Sequence, residues 1–473
     1  MESTPTGDLS IDEFREHGHA IVEWIARYLC DVERYPVLSR VEPGDVRRML
    51  PASPPATGEP IADMLADFES ALLPGMTHWN HPSFHAYFPT SASIPGILGE
   101  ILAAGLNVNG MLWRTSPSVT ELEQVTLDWL RQLMGLGDGW FGMITDTASI
   151  STLYAFAAAR EKHPGLAVRE RGLAGRADLP RMRIYASEQA HSSVDKAVIT
   201  LGMGAENVVH IGVDDAFRMR ADLLADAVQA DRARGWLPLA AVATVGTTGT
   251  TSIDPVGPIA ALCQSERVWL HVDAAYAGVA AMVPEYAWIL RDAATADSVV
   301  VNPHKWLFTP FDLSAFYCRR MDLVRSAFSL VPEYLKTDQD TGVRNLMDTG
   351  IQLGRRFRAL KLWMVLRHFG ADGIRARLAE HMRLARLFAG WVDGSGQFEL
   401  TAPVPFSVVC FRARDTDEFN ELLLNRLNAT GEVFLSHTKL DGRFTLRLAV
   451  GNLRTSRDTI EAPWRLVQEA ANW

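Results

Sequence analysis

Between about residue 115 and residue 320 the chain alternates short apolar runs with stretches of helical periodicity. The runs at 141–145, 183–187, 208–213, 239–245, 268–273, 297–301 and 313–318 read as strands. Segments 150–162, 192–201, 220–234 and 257–266 read as helices between many of them. Such alternation predicts a largely parallel sheet covered by helices on both faces, because parallel strands need long crossovers that then bury the sheet. Ligands of such sheets bind beyond the carboxyl ends of the strands, so residues at those ends are the first candidates for chemistry.

Two further zones flank this core. Ser10 followed by Glu13 is a capping-box signature, and Ile11, Phe14, Ile21, Val22, Ile25 and Leu29 recur on one face of the helix it opens. A Pro-rich connection, Pro51 to Pro55, leads to a second helix with Pro60 near its first turn and Ile61, Met64, Leu65, Phe68 and Leu72 on its apolar face. Two helices cannot bury both faces alone, so the segment docks either on its own body or on another subunit. Ser116-Pro117 opens a helix with Leu122, Val125, Trp129, Leu130 and Leu133 on its buried side. Beyond residue 355 an Arg-rich helix beginning in Gly354-Arg355-Arg356-Phe357-Arg358 leads to a smaller α/β unit, with strands near 406–412 and 443–450 and a final helix. The expected division is 1–85 helical, 86–355 large domain and 356–473 small domain.

Composition narrows the partners. At 48% hydrophobic and 22% charged, the 473 residues suit a globular protein of two or three domains. A net charge of −10 without a basic stripe argues against nucleic acid or an anionic membrane as partner. Cys30, Cys263, Cys318 and Cys410 are scattered with no CxxC pair, so neither a zinc site nor a disulfide framework is expected and no metal is assigned. Met1 to Pro5 lacks the features of a signal peptide, and no apolar run approaches bilayer length. A cytoplasmic location is the expectation.

Two strand ends carry the chemistry. One run closes on His271-Val272-Asp273-Ala274-Ala275, and the next is followed by Asn302-Pro303-His304-Lys305-Trp306. A lysine amine beside an imidazole suits a Schiff base, and a carboxylate suits the protonated nitrogen of a pyridine ring, so the pair points to pyridoxal phosphate. Asp146-Thr147-Ala148-Ser149 precedes a helix whose free N–H groups would hold the phosphate, although Ser and Thr there are also ordinary caps. His191, between a strand and a helix, could stack on the ring or be structural.

With these motifs in view, the chain resembles the group II pyridoxal-phosphate decarboxylases. The resemblance runs in order through His81-Pro82 to Tyr87-Phe88-Pro89-Thr90, Ser116 to Glu123, Gln189-Ala190-His191-Ser192-Ser193, His271 to Gly278, Asn302 to Trp306 and Leu353 to Phe357. Within the group, the aromatic L-amino-acid decarboxylases are the nearest branch. The resemblance implies a type I, aspartate-aminotransferase-like fold and a homodimer whose N-terminal helices wrap the partner. By position it implies Lys305 as the Schiff-base lysine, Asp273 as the pyridinium partner, His191 as the stacking imidazole, and Ala275 against the other ring face. Ala148, Ser149, Asn302 and His304 would gather around the phosphate, with Thr248 near the cofactor. The substrate pocket would hold Trp79, Tyr87, Phe88, Pro89, Thr90, Phe311 and Gly354; without the resemblance, its aromatics read as ordinary core.

The implied activity is decarboxylation of an aromatic L-amino acid (tryptophan, phenylalanine, tyrosine or a hydroxylated relative) to the amine and carbon dioxide, with Tyr334, in Pro332 to Lys336 just before the polar loop Lys336 to Arg344, as the acid that reprotonates Cα. The alternatives are aldehyde synthesis by oxidative deamination and decarboxylation of histidine. Retention of both Tyr334 and His191 favours the amine, and Gly354 with a largely apolar pocket favours an aromatic side chain. Three residues depart from the animal enzymes: Met111 stands for a pocket phenylalanine, Asn109 for an aliphatic residue, and Asp146 for a glycine beside the phosphate turn.

Overall fold

The computed structural model describes residues 7–330 and 343–471. The predicted strands form one seven-stranded sheet: β1 (Phe141–Thr145), β2 (Met182–Ser187), β3 (Val208–Ile211), β4 (Leu237–Thr244), β5 (Trp269–Asp273), β6 (Ser298–Val301) and β7 (Ser314–Cys318). Their spatial order is β1-β7-β6-β5-β4-β2-β3. Strands β3, β2, β4, β5 and β6 run parallel, and β7 lies antiparallel between β6 and β1. All residues of the parallel strands β5 and β6 are buried, as that architecture requires, and so are those of the antiparallel β7 between β6 and β1. Each fully buried valine of β6 contributes roughly 1.5–3 kcal/mol by leaving water.

One polar contact sits inside this apolar sheet. Ser298 at the start of β6 accepts the indole N–H of Trp269 at 2.9 Å and lies 2.9 Å from His271 Nδ1, both on β5. Chain order and register then place Asp273 at the end of β5, opposite Val300, and Lys305 just beyond β6.

A second sheet is antiparallel throughout: β8 (Phe398–Leu400), β9 (Val408–Ala413), β10 (Ser436–Leu440) and β11 (Arg443–Ala449), in the order β10-β11-β9-β8. The segment Ala359–Gly394 joins the two sheets as two helices broken at Gly370, whose φ of 63° suits a glycine at a helix end. It packs on helices Ile94–Leu106 and Pro117–Leu133 and on β8 and β9.

The Arg-rich stretch 354–358 is not the start of this helix, contrary to expectation. Arg355 bonds Glu123 and the Ile144 carbonyl, Arg356 pairs with Glu100, and Arg358 with Asp312. These separate anchors hold the backbone irregular until Ala359. The second N-terminal helix also ends early, at Asp67, and continues as one wider turn over Phe68–Leu72.

The first helix, Ile11–Cys30, has its capping box: Ser10 Oγ accepts the Glu13 N–H at 3.2 Å, and Glu13 accepts the Ser10 N–H at 2.8 Å. Its later half docks on its own chain through Trp24 against Phe68 and Tyr28 against His78. Ile11, Phe14, Ile21 and Val22 stay exposed, as do Ile94, Leu98, Ile101, Leu102 and Leu106 on helix Ile94–Leu106.

Candidate active site

The carboxyl ends of β1, β2, β4, β5 and β6 converge on a cavity of about 180 Å³. The nine residues expected to hold the cofactor, Ala148, Ser149, His191, Thr248, Asp273, Ala275, Asn302, His304 and Lys305, all line it.

Each wall has a local cause. Helix Ala148–Glu161 starts directly after β1, and its N-cap Thr147 makes no side-chain cap bond, which leaves the first-turn N–H groups of Ala148 and Ser149 for an anion. Asp146 does not point at that anion site. It accepts the Thr147 N–H at 2.7 Å, and its other oxygen lies 3.5 Å from Gln352 Nε2. Asp273 is buried, its Oδ1 accepts the Ala275 N–H at 3.0 Å, and its Oδ2 has no protein donor among the described residues. Gly246 follows β4 with φ of 89°; a Cβ there would come 2.6 Å from that of Ala277.

The histidines are fixed as neutral tautomers. Leu313 N–H donates to His304 Nδ1 at 2.9 Å, and burial pushes its pKa down to about 3, so His304 Nε2 carries the proton. Ser193 N–H donates to His191 Nδ1 at 3.1 Å; burial lowers its pKa, and Asp273 partly opposes that. His191 Nε2–H is then a donor. Burial also lowers the Lys305 amine, with Asp273 opposing and Arg447 reinforcing the shift. A more neutral amine is the nucleophilic form.

Three stacked rings floor the site. Trp306 lies on Tyr276 at 4.8 Å and Tyr276 on Phe88 at 3.7 Å, with Lys305 Nζ 5.1 Å from the Phe88 centroid. The expected substrate residues are less gathered. Phe88 lines the cavity with Lys305, whereas Trp79, Thr90 and Phe311 line a neighbouring open depression of about 550 Å³. The two adjoin where Phe311 stands 4.8 Å from His304. Tyr87 stacks on Trp79 at 6.0 Å and is more than half exposed, Pro89 lies against Gly451, and Gly354 is exposed beside the Asn109 amide. These three line neither cavity in the single chain. Tyr334 lies outside the described residues.

Sequence reading missed Thr147, Thr244, Gly246 and Tyr276, which also line the cavity. Thr244 and Gly246 lie at the end of β4, where the strand-end rule would have found them. Arg447 carried no such signal. It reaches from β11 to hold the Gly249 carbonyl at 3.0 Å and the Tyr87 carbonyl, with its guanidinium 4.7 Å over the Phe88 ring.

Buried polar atoms without partners test the fit of pyridoxal phosphate. Asn302 Oδ1 and Thr244 Oγ1 are both buried and have no hydrogen-bond partner among the described residues, and both residues line the cavity. Leaving such atoms unmet costs about 1–3 kcal/mol each, so they call for a polar occupant. An acid beside one cavity wall, an amine on another and an uncapped helix start fit the ring nitrogen, aldehyde and phosphate of that group.

Residues 43–414 match the model for the pyridoxal-dependent decarboxylase conserved domain. The chain belongs to this family. It is a pyridoxal-phosphate-dependent amino-acid decarboxylase with the type I fold. Among curated relatives it is 38% identical to phenylacetaldehyde synthase of Arabidopsis thaliana, over 98% of this chain and 96% of the relative. It is equally 38% identical to aromatic-L-amino-acid decarboxylase of Cavia porcellus, over 98% of each. A crystal structure of Catharanthus roseus tryptophan decarboxylase with L-tryptophan superposes with a TM-score of 0.92 at 36% identity, covering 99% of both chains. One of Oryza sativa TDC with PLP and tryptamine gives 0.94 at 35%, also covering 99% of both.

Proposed function

We propose that the protein decarboxylates an aromatic L-amino acid to the corresponding arylalkylamine and carbon dioxide. The observation that carries the reading is the aromatic surround of Lys305: the Phe88 ring beneath it, and the depression beside His304 walled by Trp79 and Phe311. Aromatic walls with only uncharged polar groups among the lining residues, the hydroxyls of Tyr28, Thr77 and Thr90 and the Asn80 amide, suit a phenyl or indole ring better than a second carboxylate. The named activities of the relatives support the same class of substrate.

When bound, pyridoxal phosphate supplies a protonated pyridine ring that accepts the electron pair left by the departing carboxylate. Asp273 would hold the proton on the ring nitrogen, while the first-turn N–H groups of Ala148 and Ser149, with Asn302 and His304, would hold the phosphate. Ala275 and His191 would bracket the ring. His191 Nε2–H would orient the substrate carboxylate, a role left to it because Nδ1 already accepts from Ser193. Lys305 would supply the amine that anchors the cofactor. Phe88 and Tyr276 exclude water below it. Tyr334 is the proposed acid that returns a proton to Cα.

The exposed apolar residues of helices Ile11–Cys30 and Ile94–Leu106 support a homodimer, in which Gly354 and Tyr334 would serve the partner's site. Four cysteines free of disulfides support a reducing, cytoplasmic setting. No helix among the described residues is long and apolar enough to cross a membrane.

Product analysis with tryptophan, phenylalanine, tyrosine, dihydroxyphenylalanine, histidine and glutamate tests the reading. Amine with equimolar carbon dioxide from the aromatic members is expected; turnover of histidine or glutamate alone would overturn it. A second reading, aldehyde synthesis, is favoured by the identity to phenylacetaldehyde synthase. Peroxide and aldehyde from the wild-type protein would select it, whereas the decarboxylase reading expects them only after Tyr334→Phe.

A further inference from the structure

A largely apolar cavity lies on the other side of a single hairpin from the catalytic one. Residues 245–253 fold back through a bridge between Val245 and Ile253. Thr244, Gly246 and Thr248 line the catalytic cavity, while Thr250, Ser252 and Asp254 line a second cavity of about 450 Å³. Hydrogen bonds cross the hairpin: Thr247 Oγ1 lies 3.1 Å from Thr250 Oγ1 and 3.0 Å from Ser252 Oγ, and Asp254 accepts the Thr244 N–H at 2.8 Å.

The second cavity is built for a flat apolar group. Trp288, Ile289 and four prolines, Pro255, Pro258, Pro403 and Pro405, line it, and Trp288 is half exposed. Its charges are mostly spent. Arg218 pairs with Asp214, and both Asp254 oxygens accept backbone N–H groups, from Met219 and Thr244. Asp292 is the exception, an exposed carboxylate with no hydrogen bond or ion pair among the described residues. It lies over Gly257 at the start of helix Val256–Ser265, where an added Cβ would meet it at 2.7 Å. That helix end offsets about half a unit of charge and leaves the mouth net negative.

We propose that this cavity is a regulatory site for the reaction's own product, an arylalkylammonium ion held by Trp288 and Asp292. Its occupancy reaches the catalytic cavity through the hairpin 245–253 and slows turnover. The inference rests on the proposed aromatic decarboxylation and names a regulation of it. Decarboxylation turns a zwitterion into a cation while keeping the ring. A site with an aromatic wall and one free carboxylate distinguishes the two by the charge that the reaction removes: it attracts the amine and repels the carboxylate of unreacted amino acid.

The test uses holoenzyme reduced with borohydride, which stops amines from exchanging onto the cofactor, and calorimetric titration with phenethylamine, tyramine and tryptamine, then with phenylalanine, tyrosine and tryptophan. Binding of the amines at one site is expected, with the amino acids weaker. Asp292→Asn should weaken the amines roughly fivefold, the scale of an exposed ion pair. Trp288→Ala should weaken them roughly tenfold through lost stacking. In the active enzyme, the same amines should inhibit with a noncompetitive component that either substitution removes, leaving kcat and KM in the absence of amine unchanged. No binding to the reduced enzyme, equal binding of amine and amino acid, or binding indifferent to both substitutions overturns the site. Binding with purely competitive inhibition overturns the transmission. Carbon dioxide release is read separately, so failure of aromatic turnover is told apart from failure of this site.

Discussion

The two sheets divide the labour of the site unequally. The seven-stranded sheet is covered on both faces, so its side chains pack and its strand ends are free to hold Thr147, His191, Thr244, Asp273 and Lys305 around one cavity. The antiparallel sheet sends in no residue that lines that cavity, yet Arg447 of β11 holds the backbones flanking Phe88 and Thr248 from behind. Chemistry is concentrated where parallel strands end, while the antiparallel sheet fixes the position of the loops between them.

Replacing a residue from each side tests that division, beginning with the largest effect. Lys305→Ala should lower turnover by roughly 10³-fold or more, because the anchoring amine is lost. Steady-state rates with the best substrate measure it, and activity near that of wild type would break the comparison at its centre. Asp254, which ties the hairpin to β4, should govern a pH effect. Burial raises its carboxyl from 3.8 to about 6. The folded state therefore holds this proton more tightly than the unfolded chain, and stability falls as pH rises from about 4 to about 6. The loss is on the order of 3 kcal/mol by linkage. Melting temperatures across that window should fall for wild type and be flatter for Asp254→Asn; equal slopes would remove Asp254 from the account.

Arg447→Met asks whether the second sheet only positions. We expect kcat/KM to fall roughly tenfold to a hundredfold, the scale of a displacement near 1 Å, with cofactor still bound. Arg447→Lys keeps the charge but loses the fork, so it should recover little of the rate. Full recovery by lysine would make charge, rather than clamping, the contribution of β11. Ser10→Ala, remote from both sheets, should cost about 1 kcal/mol through the lost cap and leave kcat/KM untouched. Thermal unfolding beside kinetics checks it.

How much of this was legible in the sequence follows the same division. All seven strands of the large sheet were readable, because buried parallel strands are short apolar runs punctuated by helices. β8 and β10 were not: one is only three residues long, and the other, Ser436-His437-Thr438-Lys439-Leu440, is a largely polar edge strand. Helix Ile11–Cys30 was readable from its capping box, but not its docking through Trp24 and Tyr28, which depends on Phe68 and His78 far along the chain. That the residues proposed to hold the cofactor share one cavity was legible because they sit in local motifs at strand ends. Arg447 was not, since a lone arginine inside a strand looks like any solvated charge until the tertiary fold buries it.

The polar contact of Ser298 bears on how reliably the chain finds its native pairing. Val299, Val300 and Val301 would satisfy either face of the sheet, so hydrophobicity alone scarcely opposes a one-residue slip of β6 along β5. Such a slip would carry Lys305 about 3.3 Å from its place beside Asp273 and produce a well-packed but inert protein. It would also strand the Trp269 indole N–H and His271 inside the sheet without their shared partner. One serine hydroxyl thus adds a polar penalty to an alignment that greasy packing by itself would accept.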